Sequence, residues 1–574
     1  MEDGARLGDR SGREVQRFRQ PAPRERWGPP GNGARRPRAP WVWVGLLLLG
    51  APAGASALAA DEAPPPPEAS REDARARKVV WLDVQEYRIR GGTRLSEAEM
   101  QEALQPFLGP RRRLEVVEAA RAALEKAYTD RGWQAVTVAI PPQKVKDGIV
   151  LLDVTEGTVA RLRVKGARWF LPSDVRRHAT SLAEGAIPNF GEVTRDIFLL
   201  NQLPDRRVTP ALRAGRQPGT MEVDLNVEDH LPLHGSLELN DRHSAGTTPL
   251  RLNAAVRYDN LWQLGHTLSL SFQTAPQRLE DGKVFAASYV ARFPALWWLA
   301  LSLSAVVQDS DISTLGGTAV AGRGHVLGTR AVLTLPSPEG WYQTTSAGVD
   351  LKEFEERLSL GRDTIETPIT YWPVSVAYFA SRASEGSVFQ AGLTASFNAR
   401  FASSSPERFD AKRYSASAGF VLYRGDLSVT QDLFRLLEVT TRLVGQWSPD
   451  PLVGSEQLAM GGLETVRGYL EAQALGDYGS ALQLDLRSPF LGKILGRFVN
   501  DLRFGGYVDA GAVGIHRALP GQPASSFLWS AGGGVRLRLF GKLSGAVDVG
   551  VPLRTVATTA RGEVRVHFRV WSEI

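Results

Sequence analysis

Val564-Arg565-Val566-His567-Phe568-Arg569-Val570 sets an apolar residue at every second position and a basic one in between, Phe568 included on the apolar side. Side chains of an extended chain alternate between two faces, so this stretch has one apolar side and one that must meet water. The same texture runs back through the sequence. Val535, Leu537 and Leu539 alternate with Arg536 and Arg538, and Leu482, Leu484 and Leu486 with Gln483, Asp485 and Arg487. Leu299, Leu301 and Leu303 alternate with Ala300 and Ser302, and Leu268, Leu270 and Phe272 with Ser269 and Ser271. A soluble sandwich would turn the apolar face inward, whereas a transmembrane barrel turns it to lipid and keeps the polar face in its lumen. The aromatic doublets Trp297-Trp298, Trp341-Tyr342 and Tyr371-Trp372 stand at the ends of alternating segments, where the girdles of a barrel belong. Leu233 to Ile574 is 342 residues. Sixteen antiparallel strands would take about 21 residues each with their turns. The expectation is an all-β transmembrane barrel over residues 231–574.

Ahead of Leu233 the periodicity is mixed. Val80 to Arg90 alternates as a strand, and Ser96 with Glu99 forms a capping-box signature. Leu114, Val117, Arg121, Leu124 and Tyr128 follow helical spacing up to Gly132. Val136 to Ile140 and Ile149 to Val154 read as strands. The order then recurs. A strand ends at Gly166, Ser173 caps a helix, Val193, Ile197 and Leu200 lie on a second one, and Val208–Leu212 and Met221–Val227 form a hairpin. Two βααββ modules, each a small α+β unit, are expected over 79–157 and 158–230 as an internal repeat.

Residues 61–78 contain DEAPPPPEAS and read as a stiff, solvated linker. Residues 1–60 combine an Arg-rich start, the apolar run Trp41 to Leu49, and small residues around Ala55–Ala60, the order of an export signal. The net charge of +6 is deceptive. Residues 1–40 hold ten Arg against five acids, so the remainder carries only +1 and nucleic acid is a poor candidate partner. With no cysteine, a disulfide scaffold, a thiolate metal site and a Cys nucleophile are excluded.

Specific motifs carry a resemblance. Gly461-Gly462-Leu463-Glu464-Thr465-Val466-Arg467-Gly468-Tyr469, followed by Gly476-Asp477-Tyr478-Gly479, resembles the signature loop of the two-partner secretion transporters, the haemolysin secretion/activation type of POTRA-plus-barrel translocase. Asn260-Leu261-Trp262-Gln263-Leu264-Gly265-His266 and Tyr507-Val508-Asp509-Ala510-Gly511 match the early and late barrel. Arg207-Val208-Thr209-Pro210 with Pro218-Gly219 is similar to the second POTRA hairpin. The likeness covers roughly residues 79–574. It implies periplasmic POTRA modules, an outer-membrane barrel, and export of one large exoprotein that crosses unfolded and becomes β-helical. It implies outer-membrane lipid as surroundings, a monomer, and no cofactor. The functional residues it implies are Val466, Arg467, Gly468 and Tyr469 on a loop folded into the lumen, with Arg467 paired to Asp509 beside Gly511. A plug helix, common in such proteins, is expected to be absent or rudimentary before Val79.

No enzyme site is legible. None of the three Gly-Lys pairs precedes Ser or Thr, and no Gly-x-Ser-x-Gly elbow occurs. His230 and His234 have helical ligand spacing, but Pro232 between them opposes a helix, so no metal is expected there. Glu353, Glu355 and Glu356 read as a solvated loop, Arg111-Arg112-Arg113 as a solvated turn, and Gly532-Gly533-Gly534 as a strand feature. An outer-membrane assembly factor of the same superfamily is the alternative function, although such factors typically carry three or more POTRA units. A diffusion porin would need neither the modules nor the loop.

Overall fold

A computed structural model describes residues 81–293, 296–315, 318–355, 357–360, 363–434, 436–491 and 498–574. The expected leader, the linker and the stretch where a plug would lie fall outside the described residues. The chain divides into two compact units. One runs to Leu162 and adds Ser181–Thr194 and Ala211–Asp224; the other comprises Arg163–Thr180, Arg195–Pro210 and Leu225–Ile574.

In the first unit, Glu86–Arg90, Ile149–Glu156 and Val136–Ala139 form a three-stranded sheet with Ile149–Glu156 in the centre. Helix Leu114–Asp130 lays Val117, Ala120, Leu124 and Tyr128 on one face. Leu124 and Tyr128 pack there against Val136, Val138, Leu152 and Val154. Each such large side chain contributes about 1.5–3 kcal/mol by leaving water. Burial also pushes the Tyr128 hydroxyl up to about 12. The helix starting after Ser96 carries the expected reciprocal cap with Glu99. Two expectations need correction. The strand read over Val80–Arg90 breaks at Gln85 into Trp81–Val84 and Glu86–Arg90. Arg111-Arg112-Arg113 is not a turn but part of strand Gly109–Arg113, paired with Trp81–Val84; Arg113 lies over the Trp81 ring, so the charges stay wet while the backbone is satisfied.

Further along, Thr158–Lys165, Thr220–Asp229 and Arg206–Ala214 form a sheet in that order. Helix Pro172–His178 is capped from Leu171 with Pro172 in its first turn, two residues earlier than the cap read at Ser173.

Sixteen antiparallel strands then close a barrel, from Leu233–Asn240 to Arg565–Glu573, and these two pair to seal it. The strands differ in length. Leu299–Leu315 and Thr318–Thr334 have 17 residues each, Leu233–Asn240 has 8, and the sealing ladder pairs Ser236–Asn240 with Arg569–Glu573, extended by backbone bonds of Gly235 to Ile574 and of Asp241 to Phe568. Alternation matches the sequence pattern. Leu482, Leu484 and Leu486 are exposed on the outer wall, whereas Gln483 is buried and Asp485 half-buried inside. Asn260–His266 forms a tight turn between two strands, with Trp262 and Gln263 at positive φ and Asn260 Oδ1 accepting the Gly265 N–H at 3.2 Å.

Two other expectations fail. Glu353 and Glu355 lie within strand Trp341–Glu355, and Glu353 faces His325 at 3.0 Å; acids are tolerated there because their side chains are open to solvent at the end of the strand. Glu356, read with them, lies outside the described residues. Tyr371 is not a girdle residue. It is fully buried with Phe354, Phe409, Phe420 and Leu452, and its hydroxyl lies 2.8 Å from Glu456 Oε1. Helix Pro406–Lys412 and the chain around Leu452 fold over that end of the barrel, which alternation alone does not reveal.

Candidate functional site

The segment between strands Leu437–Trp447 and Tyr478–Arg487 turns back inside the barrel. Its stem is a short hairpin, Leu458–Met460 against Ala474–Gly476. Gly461, Gly462 and Gly468 all have positive φ, which lets the tip reverse within a few residues. Thr465 Oγ1 accepts the Gly461 N–H at 2.8 Å and closes the turn. Val466 and Tyr469 are fully buried and pack with Met460, Ala481, Val513 and Leu528. The Tyr469 hydroxyl reaches Arg554 O at 2.7 Å and Trp529 O at 3.2 Å. Apolar and polar contacts together hold the tip against the wall.

Arg467 lies between these two anchors and is only 4% exposed. Its Nε and Nη2 donate to Asp509 Oδ2 and Oδ1, both at 2.7 Å, and its backbone N–H adds a third bond at 3.0 Å. A second carboxylate takes the far edge of the guanidinium, with Nη1 and Nη2 at 2.8 and 3.2 Å from Asp485. The Tyr507 ring underlies the cation, 3.6 Å from centroid to guanidinium carbon. One planar fork is therefore held on two edges and one face, a geometry that a lysine ammonium cannot reproduce.

The wall makes room for this. Asp485 stands opposite Tyr507 and Gln483 opposite Asp509 in the ladder between strands Tyr478–Arg487 and Val499–Gly514. A Cβ on Gly511 would fall 2.4 Å from Met460 Sδ and 3.0 Å from Val466. One on Gly550 would fall 2.9 Å from the Gly468 backbone. Gly532, within strand Ser525–Leu539, leaves space for the Tyr507 ring in the same way.

Further charges tie down both flanks of the tip. Glu464 meets Arg442 and, at 3.3 Å, Arg242, which also meets Glu471 at 3.1 Å. Asp477, fully buried, accepts from both Nη atoms of Arg413 at 2.6 and 2.8 Å, and from the N–H groups of Leu452 and His516.

All six residues singled out from the sequence converge here: Val466, Arg467, Gly468 and Tyr469 on the tip, Asp509 and Gly511 on the wall. The alternation assigned Asp485 to the lumen but not to Arg467, and nothing in it paired Arg413 with Asp477. The first omission follows from the ladder register, which brings two neighbouring strands under one guanidinium. The second pair spans 64 residues. A signal for it was present, since Asp477 belongs to the quoted Gly476–Gly479 motif.

Comparison with known proteins gives a consistent result. A family model described as haemolysin secretion/activation protein ShlB/FhaC/HecB matches residues 354–537, and one described as POTRA domain, ShlB-type, matches residues 82–157. The outer membrane transporter CdiB of Dickeya dadantii (strain 3937) is 24% identical over 516 residues, spanning 85% of this chain and 86% of its own. The solved structure of CdiB from Escherichia coli superposes with a TM-score of 0.63 at 20% identity, over 87% of this chain and 92% of that one. BamA from Haemophilus ducreyi lacking POTRA domains 1-3 superposes at 0.50 with 14% identity, over 86% and 100%.

Proposed function

We infer that this chain, which belongs to the two-partner secretion transporters of the bacterial outer membrane, exports a large exoprotein through the lumen that the Arg467 loop occupies. The barrel lies in the outer membrane and the POTRA modules in the periplasm. The observation that carries the reading is the lock of Arg467 on Asp509 and Asp485. It holds the loop tip in one docked position against the wall.

The cargo crosses unfolded and becomes β-helical outside. Capture begins at a sheet edge such as Val136–Ala139, which can add an incoming extended segment as a further strand. Passage then meets a lumen with charges of both signs. Asp485, Arg487, Arg503 and Glu438 form one mixed cluster, and Arg536 with Asp548 at 2.8 Å another. Such a wall offers no long apolar patch on which mixed sequence would stick. Val466, Arg467, Gly468 and Tyr469 set the working position of the loop, and Asp509 with Gly511 receives it. The chain acts as a monomer.

The test is reconstitution of export. The chain is co-expressed with a large β-repeat exoprotein as cargo, and exoprotein in the medium is compared with that in the periplasm. Release that requires the transporter is expected. Equal periplasmic retention with and without it would refute the reading.

A further inference from the structure

We propose that Asp205, His234 and Asp259 form a binding site for one divalent transition-metal ion, with Zn2+ the type that best suits the donors. His234 lies on the first barrel strand, and Asp259 lies near the end of the next strand, Arg251–Leu261. Arg257 stands opposite His234 in their ladder, so Asp259 is two residues along on the same face. Asp205 comes from the turn that precedes strand Arg206–Ala214.

His234 Nε2 is 3.0 Å from Asp205 Oδ2 and 3.5 Å from Asp259 Oδ2, and one donor atom from each of the three residues lies within 4.8 Å of the others. In a tetrahedral zinc site the metal–ligand bonds are about 2.0–2.2 Å, which sets neighbouring donors about 3.3–3.6 Å apart. Both spacings lie close to that edge length, so the site needs only small shifts to close on an ion. One imidazole and two carboxylates leave a fourth position for water, toward the half-exposed side of His234.

The supporting groups are in place. Thr267 Oγ1 donates to Asp259 Oδ1 at 2.9 Å and leaves the other oxygen turned toward His234. The His230 N–H donates to the Asp205 main-chain carbonyl at 2.9 Å, and the Asp259 N–H to that of Pro232. Such outer contacts orient ligands before the metal arrives. Both carboxylates are more than nine-tenths buried, and Arg257 offsets one of their two charges. Arg257 is the competitor, because its Nε donates to Asp259 Oδ2 at 2.7 Å. A bound ion must displace that contact. A protonated His234 bridging the two acids would give the same distances without metal, and the arginine therefore separates the two accounts.

The experiment uses full-length, tag-free protein in detergent, stripped with a chelator and titrated with ZnCl2 by calorimetry; Co2+ absorption reports the coordination. One ion per chain is expected. Asp205→Asn and His234→Ala should each weaken binding at least about tenfold. His325→Ala, on a barrel strand that contributes nothing to the site, should leave it unchanged, and Arg257→Gln should tighten it. Circular dichroism and heat-modifiable gel mobility establish that each variant still forms its barrel. Absence of stoichiometric uptake by the unsubstituted protein, or uptake by folded His234→Ala as tight as its own, would overturn the site. Unchanged affinity in Arg257→Gln would remove Asp259 from it.

Discussion

Replacing Arg467 with alanine removes the cation held between two inward-facing carboxylates. Asp509 is fully buried and loses two of its three Arg467 donors, the backbone N–H alone remaining; Asp485, whose side chain is 14% exposed, loses two as well. Leaving one buried charge unpaired costs about 3–5 kcal/mol. At about 1.4 kcal/mol per tenfold, the docked loop should lose roughly two to three and a half orders of magnitude in population. The two single acid variants should be unequal. Asp509→Ala leaves Arg467 joined only to the more exposed Asp485. Asp485→Ala leaves the shorter two-bond fork to Asp509 and should be the mildest. Arg467→Ala with Asp509→Ala removes the cation and the deeper anion together, so it should be no worse than Arg467→Ala alone. Lysine at 467 keeps the charge but loses the fork and should rescue poorly. Export is measured at matched outer-membrane abundance. Loop position is read from a single cysteine at 466, which the absence of native cysteine makes clean. Wild-type export by Arg467→Ala, with Cys at 466 as protected as before, would refute the reasoning.

Gly550→Ala should also undock the tip, because its Cβ would fall 2.7 Å from the Tyr507 hydroxyl and 2.9 Å from the backbone of Gly468; about 1–3 kcal/mol is expected, read from the same cysteine. Water-soluble thiol reagents should label a cysteine at 536, on the lumen side with Asp548, and spare one at 537; reversed labelling would contradict the register. His178 is held above its usual value mainly by hydrogen bonding to Asp174. Its contribution is therefore full below about pH 6.5 and fades as pH rises through the higher folded value. Hydrogen-exchange protection in helix Pro172–His178, taken relative to the intrinsic rate at each pH, should fall on that rise, and His178→Gln should flatten the fall.

The barrel was legible because its two solvents leave a period-2 signature, and its length was compatible with the sixteen strands that the resemblance implied. The helix over Leu114–Asp130 was legible from Val117, Leu124 and Tyr128, and its predecessor from Ser96 and Glu99. The pairing of Gly109–Arg113 with Trp81–Val84 was not, since three consecutive arginines carry no alternation and a short edge strand is defined by its partner. Tyr371 misled for a related reason: an aromatic at the end of a strand looks the same whether lipid or a folded loop covers it. At the site, the sequence motifs pointed to Arg467 and Asp509. Asp485 needed the register, which one sequence does not contain, and Asp205 joins His234 only once the fold brings distant segments together.

The unequal strands have a consequence for the bilayer. At about 3.3 Å per residue and a tilt of about 40°, the 8 residues of Leu233–Asn240 span about 20 Å along the membrane normal, against about 43 Å for the 17 of Leu299–Leu315. The apolar band of an outer-membrane barrel is about 25 Å tall. Around most of the circumference the wall exceeds it, but at the closing strand it falls short. Lipid beside that strand must compress or splay its tails to cover the mismatch. The membrane is thus thinnest where the fewest backbone hydrogen bonds hold the cylinder shut.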